Sequence, residues 1–346
     1  MKILLPIILI TSSSLVLAAD EIQKGKNTSD IPGVSVQKIK PLPLSQQLFR
    51  LNSVRAVNDD LIEAAEAVSY TYLDKDYLTT SKLGKSWEYH TIKRPKTIFG
   101  SSETVLLTRT IDQTKSPFIE VAIRGTASFD DVIHDLDTKA RLDKRLNIPI
   151  HSGFHFIAQD IYAFLQKKFS GEKFRNYSFR IYGHSLGGAV ANIVGMYLHE
   201  DGRRVSMIVT FGAPRFTTNE GARKYQLLNQ VTYRIVRCDD VVPFLPAPNF
   251  FGWTNNSYEA GGNLLLLLKP PYFDYSEGID IERDFTYQLR HELANATGRK
   301  KLALGHRMVS YFSLLKKYSA ESAGIKGEEI SPVSYQLSQQ TTMCPY

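Results

Sequence analysis

Tyr177-Ser-Phe-Arg-Ile-Tyr182, Gly183-His-Ser-Leu-Gly187 and Gly188-Ala-Val-Ala-Asn-Ile-Val194 follow one another without a break. The first segment alternates as a strand does, the last is small and apolar as a helix start is, and the middle has the form G-x-S-x-G. A strand that turns straight into a helix brings two backbones together, and glycines on either side leave no Cβ in the way. Ser185 is then presented at the tip of a sharp corner, with the Leu186 N–H behind it where it can face a developing oxyanion. A serine in front of a helix also suits a cap. Ser185 therefore reads as a nucleophile only if a base and an acid elsewhere in the chain can reach it.

The chain around this turn has 346 residues, 43% of them hydrophobic, which suits one large domain with a full core. Residues 1–19 begin Met1-Lys2, continue Ile3-Leu-Leu-Pro-Ile-Ile-Leu-Ile10 and close on Val16-Leu-Ala-Ala19, the pattern of a secretory signal peptide. The apolar run is interrupted by Thr11-Ser-Ser-Ser14 and falls short of the roughly 20 residues a bilayer span needs. A polar linker over 20–47, one domain over 48–318 and a polar tail over 319–346 complete the expected layout. An exported protein is expected, secreted or periplasmic, with no transmembrane segment after cleavage. Loss of the leader takes the formal charge from +7 to +6, a modest excess that serves solubility or attraction to anionic surfaces. Nothing resembles a nucleic-acid module. Cys238 and Cys344 permit a disulfide without requiring one, and Cys238, ending an apolar strand, reads as a buried small hydrophobe. Metal-ligand spacings and cofactor signatures are absent from the sequence, so the chemistry is expected from side chains alone, with no metal and no cofactor.

Along the chain, Val57 to Tyr70 opens with capping residues and has helical spacing. Thr104 to Thr110 and Phe118 to Arg124 read as strands, Ser152 to Phe169 as a helix, and Arg204 to Phe211 and Gln230 to Arg237 as strands flanking a helix near 221–228. Leu264 to Leu268 reads as a buried strand. Strands alternating with helices predict an α/β fold, a mostly parallel sheet with helices on both faces.

If the order in such a sheet is serine, acid, histidine, then His90, His134, His151 and His155 fall too early to be the base. His184 adjoins the serine and points elsewhere, and His199 lies about four helical turns from it. His291, in a charged helical stretch, and His306, in a turn before the amphipathic stretch from Arg307 to Leu315, remain. The loop position favours His306. The acid is expected in Arg237-Cys-Asp-Asp-Val-Val-Pro243, beyond the carboxyl end of a strand. Local physics leaves Asp239 and Asp240 equal there.

Six separated segments together resemble the class 3 (fungal-type) lipase family of the α/β-hydrolase superfamily. They are Ile123-Arg-Gly-Thr-Ala-Ser128, Ile150-His-Ser-Gly-Phe154, Tyr182-Gly-His-Ser-Leu-Gly-Gly-Ala189, Thr210-Phe-Gly-Ala-Pro-Arg215, Asp239-Asp-Val-Val-Pro243 and His306-Arg-Met-Val-Ser-Tyr311. The resemblance implies Ser185 as nucleophile, Asp240 as acid and His306 as base, with Thr126 and the Leu186 N–H forming the oxyanion hole. It implies a lid over about Phe129 to Leu146, here rich in charge, with Phe129, Val132, Ile133 and Leu136 at helical spacing. Phe216-Thr-Thr-Asn219 departs from the family's Val-Gly-Asn after Pro-Arg, which should change loop packing. The implied function is an exported triacylglycerol lipase acting on a lipid or ester substrate at a lipid–water interface. Phospholipase A1, short-chain carboxylesterase and a lipid-surface binding protein that keeps only the fold are the alternatives.

Overall fold

The computed structural model describes residues 59–81, 86–93, 103–112, 115–126, 140–245, 258–267, 273–276 and 305–324. The expected leader and linker, and His134 and His291, lie outside the described residues. The chain enters through helix α1 (residues 59–70) and a short α2 (Lys75–Thr80), capped by the Asp74 carboxylate on the Asp76 and Tyr77 N–H groups. Strands β1 (Glu88–Lys93), β2 (Glu103–Ile111) and β3 (Phe118–Ile123) form an antiparallel start. A hairpin of β4 (Ala140–Asp143) and β5 (Ile148–His151) leads into α3 (Ser152–Lys168), followed by β6 (Ser178–His184), α4 (Leu186–Glu200) and β7 (Val205–Phe211). Next come β8 (Thr217–Thr218), α5 (Asn219–Lys224), α6 (Gln226–Asn229) and β9 (Thr232–Arg237). The described chain ends with β10 (Tyr258–Glu259), β11 (Asn263–Leu267), β12 (Phe273–Ser276) and α7 (Met308–Gly324).

Eight strands make the main sheet in the order β1-β2-β3-β6-β7-β9-β11-β12, and the run from β3 to β11 is parallel. Such strands are covered on both faces, and the period of two divides their side chains accordingly. Ile119, Val121 and Ile123 of β3, with Phe179 and Ile181 of β6, pack under α3 and α4. Ala122, Tyr182, Val209, Phe211 and Ile235 turn to the other face, beneath Leu61, Ala64 and Val68 of α1 and Met308, Tyr311 and Leu315 of α7. Helix α4 is buried from Leu186 to Leu198, which explains why its opening residues are small and apolar rather than amphipathic. Arg109 fastens α1 to the sheet by bridging Glu63 and the fully buried Glu120, which also accepts from the Tyr182 hydroxyl at 3.0 Å. Deleting Arg109 would strand a buried carboxylate, a loss of about 3–5 kcal/mol.

Some expectations change. Residues 140–146 form the β4 strand and its turn, paired with β5 from Ala140↔His151 to Asp143↔Ile148, so the implied lid does not extend to Leu146. The Asp143 carboxylate holds the turn by accepting the Arg145 and Leu146 N–H groups at 2.8 and 2.7 Å. The rest of the implied lid, 129–139, lies outside the described residues. The helix expected near 221–228 is two short helices that break at Tyr225, whose hydroxyl reaches Glu200 at 2.8 Å. Helix α7 continues to Gly324, past the boundary expected at 318. Thr217 and Thr218 form strand β8 between β5 and β10, and the Thr218 hydroxyl caps α5. Cys238 is buried and disulfide-bonded rather than a simple hydrophobe; Cys344, the other cysteine, lies outside the described residues.

Candidate active site

The site is assembled beyond the carboxyl ends of β3, β6, β7 and β9. Ser185 sits between β6 and α4 with φ 56° and ψ −131°, a backbone conformation costly for a residue with a Cβ. The corner survives because its neighbours have no side chains. A Cβ on Gly183 would run into the Gly187 carbonyl, and one on Gly187 would lie 2.5 Å from the Ile123 carbonyl oxygen and 2.7 Å from that of Arg124. The Ser185 side chain makes no capping bond to α4. Its Oγ instead meets His306 Nε2 at 2.9 Å, and His306 Nδ1 meets Asp240 Oδ2 at 2.8 Å. All three residues are buried, with exposures of 0, 4 and 0%. A serine, an imidazole and a carboxylate thus form one hydrogen-bonded line, drawn from positions 121 and 66 residues apart.

The two aspartates after β9 have different partners. Asp240 Oδ1 accepts the Val242 N–H at 3.0 Å, and Oδ2 accepts the Tyr311 hydroxyl at 2.6 Å beside His306. Asp239 instead makes a two-pronged pair with Arg237, at 2.9 and 2.8 Å, and Arg237 also donates to the Ser310 carbonyl at 3.2 Å. Tyr311 was not singled out from the sequence as a site residue, although it ends the His306-Arg-Met-Val-Ser-Tyr311 segment. It lies five residues beyond His306, accepts the Arg237 N–H at 3.1 Å, and is pushed well above the usual tyrosine range by burial and by the Asp240 charge. It stays a hydroxyl donor at any ordinary pH.

Leu186 opens α4, so its N–H is among those a helix leaves without an internal acceptor. Thr126 is half-buried and follows Gly125, where an added Cβ would lie 2.8 Å from the Ser185 Cβ. The loop after β3 therefore rests directly against the elbow. Three earlier histidines are engaged elsewhere. His90 on β1 bonds the Thr108 hydroxyl, His151 is buried before α3, and His155 pairs with Asp143. Among the described residues no three of His, Cys, Asp and Glu cluster in a way that could hold a metal ion. No helix of the described residues is long and apolar enough to cross a membrane.

A parallel sheet wrapped by helices, with a serine on a strained strand-to-helix corner and histidine and aspartate brought in from later loops, is the α/β-hydrolase arrangement. Within it, residues 120–250 match the model of the class 3 lipase family, and over that stretch the chain is similar to those lipases. A lipase of Caenorhabditis elegans is 40% identical over 88 residues, covering 25% of this chain and 25% of that protein. A secreted mono- and diacylglycerol lipase of Fusarium solani is 31% identical over 144 residues, covering 41% of this chain and 43% of its own. The chain thus spans less than half the length of these relatives. The Rhizomucor miehei triacylglyceride lipase structure superposes with a TM-score of 0.54 at 16% identity, over 79% of this chain and 99% of that one.

Proposed function

We propose that the chain is an exported triacylglycerol lipase, a serine ester hydrolase that works through an acyl-enzyme. The observation that carries this reading is the continuous line Ser185 Oγ, His306, Asp240 at 2.9 and 2.8 Å on a strained elbow. A serine hydroxyl is a weak nucleophile until a base takes its proton in the attack, and His306 Nε2 is within reach to do so. Asp240 accepts from Nδ1, which holds the ring in the tautomer with Nε2 free and stabilises the cation that forms. The Leu186 N–H and Thr126 receive the tetrahedral oxyanion. His306 then protonates the departing alcohol, and water attacks the acyl-Ser185 by the same relay. The assignment of Asp240 over Asp239 rests on Arg237, which occupies both oxygens of Asp239.

The export reading is supported by the leader-like residues 1–19 and by the secreted Fusarium solani relative. The substrate class is supported by the class 3 lipase match and by the two sequence relatives, one a lipase and one a mono- and diacylglycerol lipase. The test is fatty acid release by purified mature protein from emulsified triolein and from mixed phospholipid vesicles, with Ser185→Ala as the blank. Release from triolein that disappears in Ser185→Ala is the expected result. Release mainly from vesicles would move the assignment to a phospholipase A1. Silence on both, with hydrolysis of a soluble short-chain ester, would make it a carboxylesterase, and silence on all three would leave a binding protein.

A further inference from the structure

His184, inside the elbow motif, is buried and takes no part in the proton relay, yet both of its nitrogens are bound. Nε2 lies 2.6 Å from the backbone carbonyl of His306, and Nδ1 lies 2.7 Å from the Tyr72 hydroxyl. Burial, reinforced by the nearby His306 ring, lowers its pKa to about 3, so the ring is neutral and carries one N–H. A carbonyl oxygen only accepts, which places that hydrogen on Nε2 and makes Nδ1 an acceptor. The Tyr72 hydroxyl must then donate to Nδ1, and its oxygen is left to accept the Gly125 N–H at 3.1 Å. In the chain Gly125 N–H, Tyr72 O–H, His184, His306 C=O, each direction is fixed by the one after it.

Three segments distant in sequence meet on this chain. Gly125 precedes Thr126 in the loop after β3, His184 precedes Ser185, and His306 is held by its own carbonyl. Tyr72 comes from the turn after α1, with its ring beneath the Arg124 guanidinium at 5.2 Å. A Cβ on Gly125 would sit 2.9 Å from the Tyr72 hydroxyl and 2.8 Å from the Ser185 Cβ, so the loop has no slack between them.

We propose that Tyr72 is a positioning residue for the hydrolytic reaction: through one hydroxyl, and through neutral His184, it sets the loop carrying Thr126 against the nucleophile and the base. This rests on the serine-hydrolase reading of the site. The interaction is fully formed before substrate arrives, so its loss should weaken transition-state stabilisation and leave substrate binding almost unaltered. Tyr72→Phe keeps the ring and removes the donor to Nδ1 together with the acceptor for Gly125.

The experiment titrates reactive serine with a p-nitrophenyl alkylphosphonate and measures hydrolysis of a soluble p-nitrophenyl ester per titrated site. For Tyr72→Phe, kcat per site should fall roughly tenfold with KM within about twofold, because a donor is displaced rather than deleted. In a Thr126→Val background the same change should cost less than about twofold, since both act through one loop. A purely structural role would lower the number of titrated sites and leave kcat per site unchanged, which would overturn the proposal. Failure of the wild type to titrate would overturn the hydrolase reading itself. A second measurement needs no variant: 15N-histidine spectra of the intact protein should show His184 as the Nε2–H tautomer throughout pH 5–8. An Nδ1–H tautomer, or titration within that range, would contradict the brace.

Discussion

His306 with Asp240 and His155 with Asp143 follow the same local plan in different parts of the fold. Both pairs are buried, and in each the imidazole meets its carboxylate at 2.8 Å. Asp240 also accepts a backbone N–H and the Tyr311 hydroxyl; Asp143 accepts two backbone N–H groups and the Tyr197 hydroxyl. The difference is which ring nitrogen the carboxylate holds. Asp240 takes Nδ1 and leaves the tip nitrogen Nε2 to face Ser185, whereas Asp143 takes Nε2 and leaves Nδ1, beside the residue's own main chain. That nitrogen of His155 has no hydrogen-bond partner among the described residues. Asp143 ends β4 and ties the hairpin turn to α3 and α4; burial opposes its charge, but the Leu146 N–H, Tyr197 and His155 more than offset this and lower its pKa. A buried histidine–aspartate pair is thus a brace, and becomes a relay only when the carboxylate occupies Nδ1 and a nucleophile waits at Nε2.

The largest effect that could break this comparison is loss of the nucleophile or of the ring facing it. Ser185→Ala or His306→Ala should lower kcat on a soluble ester by on the order of 10⁴-fold or more, with thermal midpoints close to wild type. His155→Ala should do the reverse, keeping kcat per titrated serine within about twofold while lowering stability by roughly 2–3 kcal/mol in urea melts. Loss of turnover in a folded His155→Ala would show that the second pair is no mere brace. Asp240→Asn should cost about 10³-fold or more in kcat by favouring the wrong tautomer, and Asp239→Asn, beside Arg237, should stay within about tenfold. Tyr311→Phe removes one of three donors to the Asp240 carboxylate, and a drop in kcat of about tenfold is expected from one charge-assisted hydrogen bond.

The smallest effect is on stability against pH. The folded pKa of His184 lies near 3 and the ordinary value is 6.5, so between them the unfolded chain binds a proton that the folded chain does not. Its contribution is complete above about pH 6.5 and is lost as the pH falls towards 3, at up to about 1.4 kcal/mol per unit. The facing groups Tyr72, His306, Asp240 and Tyr311 remain in His184→Gln, so urea melts of that variant from pH 7 to 4 should slope less steeply by the equivalent of one proton. Parallel slopes would mean that His184 is charged in the fold.

The central strands were legible as apolar runs because each is covered on both faces; β2, β3, β6, β7, β9 and β11 lie within a few residues of their expected places. Their order was not, since β3 pairs with β6 across more than fifty residues and no local pattern records that. Strand β4 falls inside the lid that the resemblance implies and has no apolar alternation to mark it as a strand, since Ala140, Arg141 and Leu142 are exposed and only Asp143 turns inward to hold the turn. The elbow declared itself through its spacing together with the strand-like run before it and the small, helix-like run after it. The choice between two adjacent aspartates did not, because it depends on Arg237 and Tyr311, one at the end of β9 and one on α7. Tyr72 left no signal for the same reason, being 112 residues from its partner His184.

The most direct test of the account is covalent labelling of the mature protein with a p-nitrophenyl alkylphosphonate, followed by peptide mass mapping. The account predicts one adduct per chain, located on Ser185, formed at wild-type rate in His155→Ala and slowed by several orders of magnitude in His306→Ala. An adduct on another residue, or labelling that ignores His306 and depends on His155, would contradict it.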